Sequence, residues 1–235
     1  MRGFWIALGF LTILPTPPLG RVEAEEFRRA VACYPLVGYV VGAGLVGVFE
    51  LASGFVEGLR GALVLAAWLA LTGMLHLDGL LDSADALLAP RPPEARLWVL
   101  RDVHLGSFAF GVGSVHLLLK WQALAALEAS AALVALPALA RFWVLLPMHR
   151  YPAARGEGLG ARARGGAGWR VGALFTLPAF VWAPGLALVV GGVVLLGAAW
   201  AARRLGGGLS GDVYGALIEL GEVAGLLAWV GLTRA

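Results

Sequence analysis

The chain is poor in cysteine, in lysine and in charge of either sign. Of its 235 residues only one is Cys, and 14% are Asp, Glu, Lys or Arg. The single thiol, Cys33, excludes an intramolecular disulfide. Lys120 is the one Lys, so Arg carries nearly all of the positive charge, and a formal net charge of +3 is too small to indicate nucleic-acid binding.

Long apolar segments instead recur from one end of the chain to the other. Hydrophobic residues make up 60% of the sequence, and its mean hydropathy is +0.82. Segments that approach the roughly 20 residues needed to cross a bilayer as a helix predict a polytopic, all-α membrane bundle. We therefore expect one integral-membrane domain over residues 1–235, with its active site built from helix ends and loops.

About seven segments are predicted to cross the membrane. They are 30–51, 59–75, 106–127, 131–148, the two parts of 171–202, and 213–232. Ala183-Pro184-Gly185 is a natural turn within 171–202, and a single kinked helix there, giving six spans, is the alternative. Residues 1–19 hold a shorter apolar run that ends in prolines without a signal-peptide cleavage pattern. This run predicts an interfacial or re-entrant helix.

The placement of Arg predicts the orientation. Counted from a cytoplasmic N-terminus, three segments rich in Arg, namely 20–29, 76–105 and 149–170, all face the cytoplasm, and Arg203 and Arg204 do so only if 171–202 crosses twice. Because loops rich in Arg stay in the cytoplasm, we expect a multi-pass protein of the inner (cytoplasmic) membrane. Its polar loops would then face the cytoplasm.

The acidic segment 76–105 concentrates groups that can carry chemistry. If Asp78 to Ala86 is helical, Asp78, Asp82 and Asp85 fall within roughly 60° of one helical face. Leu residues lie between them, so the helix would be amphipathic, and its acidic face would repel itself unless a cation neutralised it. Carboxylate oxygens suit Mg²⁺, which commonly binds through a few carboxylates together with substrate phosphates.

Further polar residues flank this segment. Arg101, Asp102 and His104 precede the third predicted span and add a carboxylate and two groups able to contact phosphate. His76 begins the acidic segment, and a structural role for either His is as reasonable as a catalytic one.

Residues 149–170 form a basic loop that is rich in glycine. Its arginines, Arg155 and Arg162 among them, either mark a positive-inside connector or form an anion cradle with exposed glycine amides. The sequence leaves both interpretations open.

The last span begins with a third polar group. Asp212 lies at its predicted cytoplasmic end, where Ser210 or Asp212 could also cap the helix. Glu219 and Glu222 follow within the apolar helix and must face the bundle interior. There they would meet a cation, Arg141 or a protonated neighbour.

Four segments in this order resemble the cobalamin synthase (adenosylcobinamide-GDP ribazoletransferase) family. They are FLTILPTP near the N-terminus, HLDGLLDSADAL followed by RDVHLGSFA, ARGEGLG in the basic loop, and LGGGLSGDVYGALIELGEV at the end. The resemblance covers nearly the whole chain. Leu77, where an acidic residue is expected, and Ser210, where Thr is expected, depart from the family's pattern.

The resemblance implies an enzyme of cobalamin biosynthesis that uses Mg²⁺. A hydroxyl of α-ribazole, or of its 5′-phosphate, would attack the phosphorus next to cobinamide in adenosylcobinamide-GDP, which gives adenosylcobalamin or its 5′-phosphate and releases GMP. The acidic helix resembles, more loosely, the Asp-rich motif of CDP-alcohol phosphotransferases.

The residues and the resemblance together give a set of expected roles. The expected metal ligands are Asp78, Asp82, Asp85 and Asp212. Asp102, His104 and His76 are the candidate catalytic residues. The candidate substrate contacts are Arg101, Arg141, Arg155, Arg162, Glu219 and Glu222. Two alternative functions stay open: a phospholipid synthase of the CDP-alcohol type, and an ion- or proton-coupled transporter that would use the intramembrane glutamates.

Overall fold

In the computed structural model, which describes residues 1–154 and 168–233, every regular element is a helix. A short 3₁₀ turn, Val31–Cys33, joins the second helix to the third. This architecture confirms the predicted all-α fold. The described helices are α1 (Arg2–Leu11), α2 (Ala24–Ala30), α3 (Tyr34–Leu51), α4 (Glu57–Leu71), α5 (Leu75–Leu88), α6 (Pro93–Val99), α7 (Ser107–Ala125), α8 (Ala131–Trp143), α9 (Leu145–Arg150), α10 (Gly168–Trp182), α11 (Pro184–Arg204) and α12 (Gly211–Thr233).

Several of these helices are apolar enough to cross a bilayer. Four described units pass on length and composition, namely Ala24–Leu51, Ala131–Arg150, α11 and α12. The pair α4 and α5 adds a fifth if it is counted as one broken span. The protein is therefore a multi-pass membrane protein. The predicted count of about seven is not confirmed, because α4 and α10 have 15 residues each and α7 contains buried polar side chains.

The apolar run 171–202 is divided where the sequence predicts a turn. Helix α10 ends at Trp182, and α11 begins at Pro184, whose ring supplies the fixed backbone angle of a first helical turn. Trp182 stacks on Trp229 near the C-terminal end of α12, with ring centroids 5.3 Å apart. Gly172 lies instead near Ala32, at the opposite end of the bundle. Since α11 then passes back along α12, two antiparallel helices replace the single kinked helix.

A sharp hinge separates α4 from α5. Gly73 and Met74 both have a φ of 57°, in the left-handed region, and the two helix axes differ by 89°. A non-glycine residue in this conformation costs roughly 1–2 kcal/mol, so the surrounding packing must hold the hinge. As a result α5 crosses the bundle, and the segment 76–105, expected as a loop, contains the helices α5 and α6.

Helix α1 is half the length of a span. Its 10 residues cover about 15 Å, whereas the hydrocarbon core of a bilayer is about 30 Å thick. One face packs on α2 and α3, and the chain after it is held by the amide of Ile13, which donates to the carbonyl of Leu71 at 3.0 Å. The interfacial or re-entrant placement of residues 1–19 stays a prediction.

Helices α3 and α8 approach so closely that their contact requires glycine. A Cβ added at Gly38 would lie 2.4 Å from Cα of Ala138, and one added at Gly42 would lie 2.4 Å from the carbonyl oxygen of Leu133. Small residues permit such contacts between membrane helices. The glycines Gly38 and Gly42 thus form a packing surface of α3 for α8.

We predict opposite effects of alanine at two glycines of α3. Gly42→Ala should lower the free energy of unfolding by about 1–3 kcal/mol, because the new methyl group meets backbone atoms that cannot move aside. Gly47→Ala is the matched control, since Gly47 faces open space and alanine is the better helix former by roughly 0.5–1 kcal/mol. Thermal unfolding in detergent measures both, and equal midpoints would contradict the tight contact.

Candidate active site

Helix α5 carries the acidic face and lies over the first turn of α12. Its small residues and three of its leucines, Leu77, Leu80 and Leu87, are buried, whereas Asp78 is exposed and Asp82 is half-buried. The crossing point is Gly79, where an added Cβ would be 2.5 Å from the carbonyl oxygen of Asp212. The predicted helix is thus confirmed, and it brings its aspartates to the end of the bundle where α12 begins. We call this the polar end of the bundle.

The start of α12 is fixed by a cap and by the neighbouring chain. Ser210 Oγ accepts a hydrogen bond from the amide of Val213 at 3.4 Å, as an N-cap residue does. Leu209 exchanges two backbone hydrogen bonds, each 2.9 Å long, with Pro152 and Ala154. Asp212 lies in the first turn, where the helix dipole favours a carboxylate.

Asp85 has a structural task that the sequence did not indicate. Its Oδ2 accepts a hydrogen bond from the amide of Gly106 at 2.7 Å, and its Oδ1 accepts one from Ala109 at 3.0 Å. Both carboxylate oxygens therefore cap the N-terminus of α7 from a distant helix. This use of both oxygens makes Asp85 the least suitable of the four predicted metal ligands.

Asp102 and His104 form an exposed pair in the loop before α7. The Nδ1 atom of His104 lies 2.6 Å from Oδ1 of Asp102, and the backbone amide of His104 donates to the same oxygen at 3.1 Å. The hydrogen bond from the imidazole is the largest of the effects that lower the pKa of Asp102. A carboxylate that accepts the Nδ1 proton orients the ring, which leaves Nε2 to exchange a proton.

Arg141, Glu219 and Glu222 lie inside the bundle. Glu222 accepts from Arg141 at 2.9 Å and from Lys120 at 2.9 Å, while Glu219 accepts from Lys120 at 2.7 Å and lies 2.8 Å from His116. We call these five residues the buried charge cluster; each is at most 4% exposed. The expectation that the glutamates meet a cation in the interior is thus confirmed. A protein partner holds each of them, which favours a structural role over the expected substrate contact.

Sequence reasoning missed Lys120 and His116 as partners in this cluster. They lie four residues apart on α7, and the Lys120 Nζ sits 4.1 Å from the ring centroid of Trp68. The missed signal was the single Lys of the chain within an apolar helix. The rule that an intramembrane charge needs a partner applied to it as much as to the glutamates.

His76 also lies in the interior. It is 2% exposed, and its Nδ1 is 3.5 Å from a guanidinium nitrogen of Arg141, beside the buried charge cluster. A residue in this position does not reach a substrate at the surface. The geometry therefore favours a positioning role for His76 over the catalytic role that its place before the aspartates suggested.

The remaining candidates divide between the surface and the part of the chain that is not described. Arg101 is exposed, and its guanidinium carbon lies 6.0 Å from the Trp98 ring centroid. The expected phosphate contacts Arg155 and Arg162 lie outside the described residues.

The acidic residues suit Mg²⁺ by chemistry but do not form a complete cage. Within residues 1–154 and 168–233, no three His, Cys, Asp or Glu side chains lie close enough together to hold a metal. Mg²⁺ usually takes one or two carboxylates and completes its shell with water and substrate phosphates. Asp78 and Asp82, one turn apart on α5, can supply such a pair, so the donor set fits a metal that arrives with a phosphorylated substrate.

These features define a class of protein: a polytopic helical membrane enzyme with acidic, basic and imidazole side chains at one end of its bundle. The family model described as cobalamin-5-phosphate synthase matches residues 3–230. A Deinococcus radiodurans protein called adenosylcobinamide-GDP ribazoletransferase is 51% identical over 97% of this chain and 86% of its own length. Proteins of the same name from Desulfitobacterium hafniense and Pseudomonas aeruginosa are 40% and 41% identical, over 97% of this chain and at least 96% of their own lengths.

The chain therefore belongs to the cobalamin-5-phosphate synthase family, and it is a transferase of cobalamin synthesis. No solved structure matches it.

We predict that two aspartates of α5 differ in their effect on stability. Asp85→Ala should lower the free energy of unfolding by about 0.5–2 kcal/mol, because it removes the cap of α7. Asp78→Ala, on the exposed part of the same helix, should change it by less than about 0.5 kcal/mol. Chemical or thermal unfolding in detergent distinguishes them, and a stable Asp85→Ala variant would contradict the capping role.

Lys120→Met should be more damaging than either aspartate variant. It leaves Glu219 without its cation in the interior, and removal of one partner from a buried ion pair costs about 3–5 kcal/mol. Adding Glu219→Gln to Lys120→Met should recover part of this loss, because the uncompensated charge is then removed. The thermal midpoints of the single and double variants test the coupling; a double variant less stable than Lys120→Met would refute it.

Proposed function

We propose that this enzyme joins adenosylcobinamide-GDP to α-ribazole, or to α-ribazole 5′-phosphate, with release of GMP. The observation that carries the proposal is the match to ribazoletransferases over nearly the whole chain, together with the acidic helix α5 at the polar end of the bundle. The product is adenosylcobalamin or its 5′-phosphate. A hydroxyl oxygen of the ribazole forms a bond to the phosphorus next to cobinamide, and the bond from that phosphorus to the bridging oxygen breaks.

The exposed pair Asp102 and His104 supports a role in proton removal. Asp102 holds the imidazole by Nδ1, so Nε2 of His104 would take the proton of the attacking hydroxyl. Arg101 directly precedes Asp102 in the chain and is exposed to incoming phosphate oxygens. A guanidinium is suited to that contact because its paired N–H groups match two phosphate oxygens.

We infer that Mg²⁺ is the cofactor, with Asp78 and Asp82 as its protein ligands and with Asp212 at the same end of the bundle. When bound, the metal supplies positive charge that neutralises the diphosphate and the charge that develops during displacement. Asp212 stands at the start of α12, against the α5 backbone at Gly79, and is thereby within the same end of the bundle.

The proposed location is the inner membrane, with the polar end of the bundle in the cytoplasm. The segments rich in Arg support this orientation by the positive-inside rule. Arg91 and Arg101 border α6, and Arg203 and Arg204 end α11 at the same end of the bundle, where Gly206 approaches Pro93.

The transport alternative loses its main support. It rested on Glu219 and Glu222 as steps of an ion path, and both carboxylates are held by Lys120 in closed ion pairs. A carboxylate that is permanently paired with an ammonium group is a poor site for a cation that must bind and then be released.

We predict that the purified protein in detergent releases GMP from adenosylcobinamide-GDP when α-ribazole and Mg²⁺ are present, and that a chelator stops the release. Asp82→Asn should lower turnover at least about a hundredfold, since the loss of a charged group that acts on the transition state costs several kcal/mol. Chromatographic detection of GMP measures this.

Glu57→Gln is the control for the Asp82 variant. Glu57 is an exposed carboxylate at the start of α4, far along the bundle from α5, and its replacement should leave turnover unchanged. An Asp82→Asn enzyme with wild-type turnover would remove Asp82 from the site. A folded wild-type protein without turnover would contradict the proposed reaction.

A further inference from the structure

A groove beside the acidic helix contains two residues, Arg91 and Trp98, that have no role in the proposed reaction so far. Helix α6 and the loop that follows it border a cavity of about 490 Å³ that is open to the surface. Its lining residues combine two guanidinium groups, an indole ring and a carboxylate. They are Arg91, Ala95, Trp98, Val99, Arg101 and Asp102.

The indole of Trp98 is an exposed aromatic platform on a firmly held helix. Trp98 is 73% exposed, whereas α6 itself is anchored to the rest of the bundle. Arg96, on the buried side of α6, donates to the carbonyl oxygens of Ala86 and Leu87 at 2.8 and 2.6 Å. Leu100, 4% exposed, packs into the core. The platform is thus fixed to the end of α5, close to the aspartates.

The charges around this ring suit a nucleotide. Arg91 and Arg101 offer N–H groups to phosphate oxygens, and the guanidinium of Arg101 already lies on the Trp98 side of the groove. Exposed aromatic rings beside arginines are one means by which proteins stack a base and hold its phosphate.

The carboxylate selects among the possible bases. Oδ1 of Asp102 accepts both hydrogen bonds from His104, and Asp102 lines the groove, so its carboxylate is available to accept hydrogen bonds from a ligand there. Guanine presents the N1–H and N2–H₂ donors side by side, whereas adenine presents an acceptor at N1, and the dimethylbenzimidazole of ribazole has no such pair of donors. A carboxylate therefore favours guanine.

We propose that this groove binds the guanosine phosphate part of the nucleotide substrate, with guanine stacked on Trp98 and its donor edge toward Asp102. Arg91 and Arg101 hold the phosphate. The inference rests on the proposed function for the presence of a GDP-linked substrate, and it adds the subsite and the side chains that recognise the leaving nucleotide.

Binding of GMP to the full-length protein in detergent tests the subsite directly. Isothermal titration calorimetry should give binding of GMP at least about tenfold tighter than that of AMP. Trp98→Ala should weaken GMP binding about tenfold, which is within the range for loss of one base–aromatic stack. Trp98→Phe should restore most of the affinity, because it keeps a ring.

Trp200→Ala is the matched control. Trp200 is also an exposed indole with a guanidinium beside it, that of Arg204 at 5.3 Å from the ring centroid, but it lies on α11 outside the groove. This variant should bind GMP as the wild type does. Unchanged GMP binding in Trp98→Ala, equal binding of GMP and AMP, or no binding of GMP by the folded wild type would each overturn the proposal.

Steady-state kinetics separate this subsite from the reaction itself. In Trp98→Ala the KM for adenosylcobinamide-GDP should rise about tenfold, while the KM for α-ribazole stays unchanged, a split that general loss of folding does not produce. If the wild type turns over and both KM values of Trp98→Ala match it, the subsite is wrong and the reaction stands. If GMP binds as expected and no turnover occurs, the reaction is wrong and the nucleotide site stands.

Discussion

The buried charge cluster is the constraint on which the arrangement of the bundle depends. Two carboxylates, a lysine and an arginine are held away from water, where an unpaired charge would cost several kcal/mol. Glu219 and Glu222 come from α12, Lys120 from α7 and Arg141 from α8, so three helices must keep their rotation and depth for the pairs to close. Apolar packing alone would allow such helices to slide past one another, because contacts between apolar surfaces are similar in many relative positions. The ion pairs define one register.

The arrangement of the polar end of the bundle follows from that register. Helix α12 extends from Glu219 back to Asp212 in its first turn, and α5 packs on this first turn through Gly79. The left-handed hinge at Gly73 and Met74 permits α5 to lie across the bundle at 89° to α4. Asp85 then reaches the amides at the start of α7. The helix with the exposed aspartates is therefore tied to both α7 and α12, and its chemistry is presented on a rigid support.

Much of this fold could be predicted from local sequence patterns, whereas the rest depends on contacts between residues that are far apart in the chain. The apolar runs, the turn at Pro184 and the helical spacing of Asp78, Asp82 and Asp85 are properties of neighbouring residues, so they could be predicted. The cap of α7 by Asp85 joins residues 21 positions apart, and the pair of Lys120 with Glu219 joins residues 99 apart. No periodicity in the sequence predicts either contact. The hinge before α5 was missed because Met74 is not a residue that the left-handed region favours, and only packing places it there.

The carboxylates of this protein can be sorted by what already donates to them. Asp85 receives two backbone amides, Glu222 receives lysine and arginine, and Glu219 receives lysine beside His116, so each is satisfied by the protein and contributes to its fold. Asp78 is exposed on the same helix as Asp85, and Asp102 is exposed and lines an open groove. A ligand gains most from an acceptor that the fold has not consumed, since it then replaces only water. The helical stripe that sequence spacing treats as one set thus contains a structural member, Asp85, and an exposed member, Asp78, and the hydrogen-bond donors around each carboxylate distinguish them.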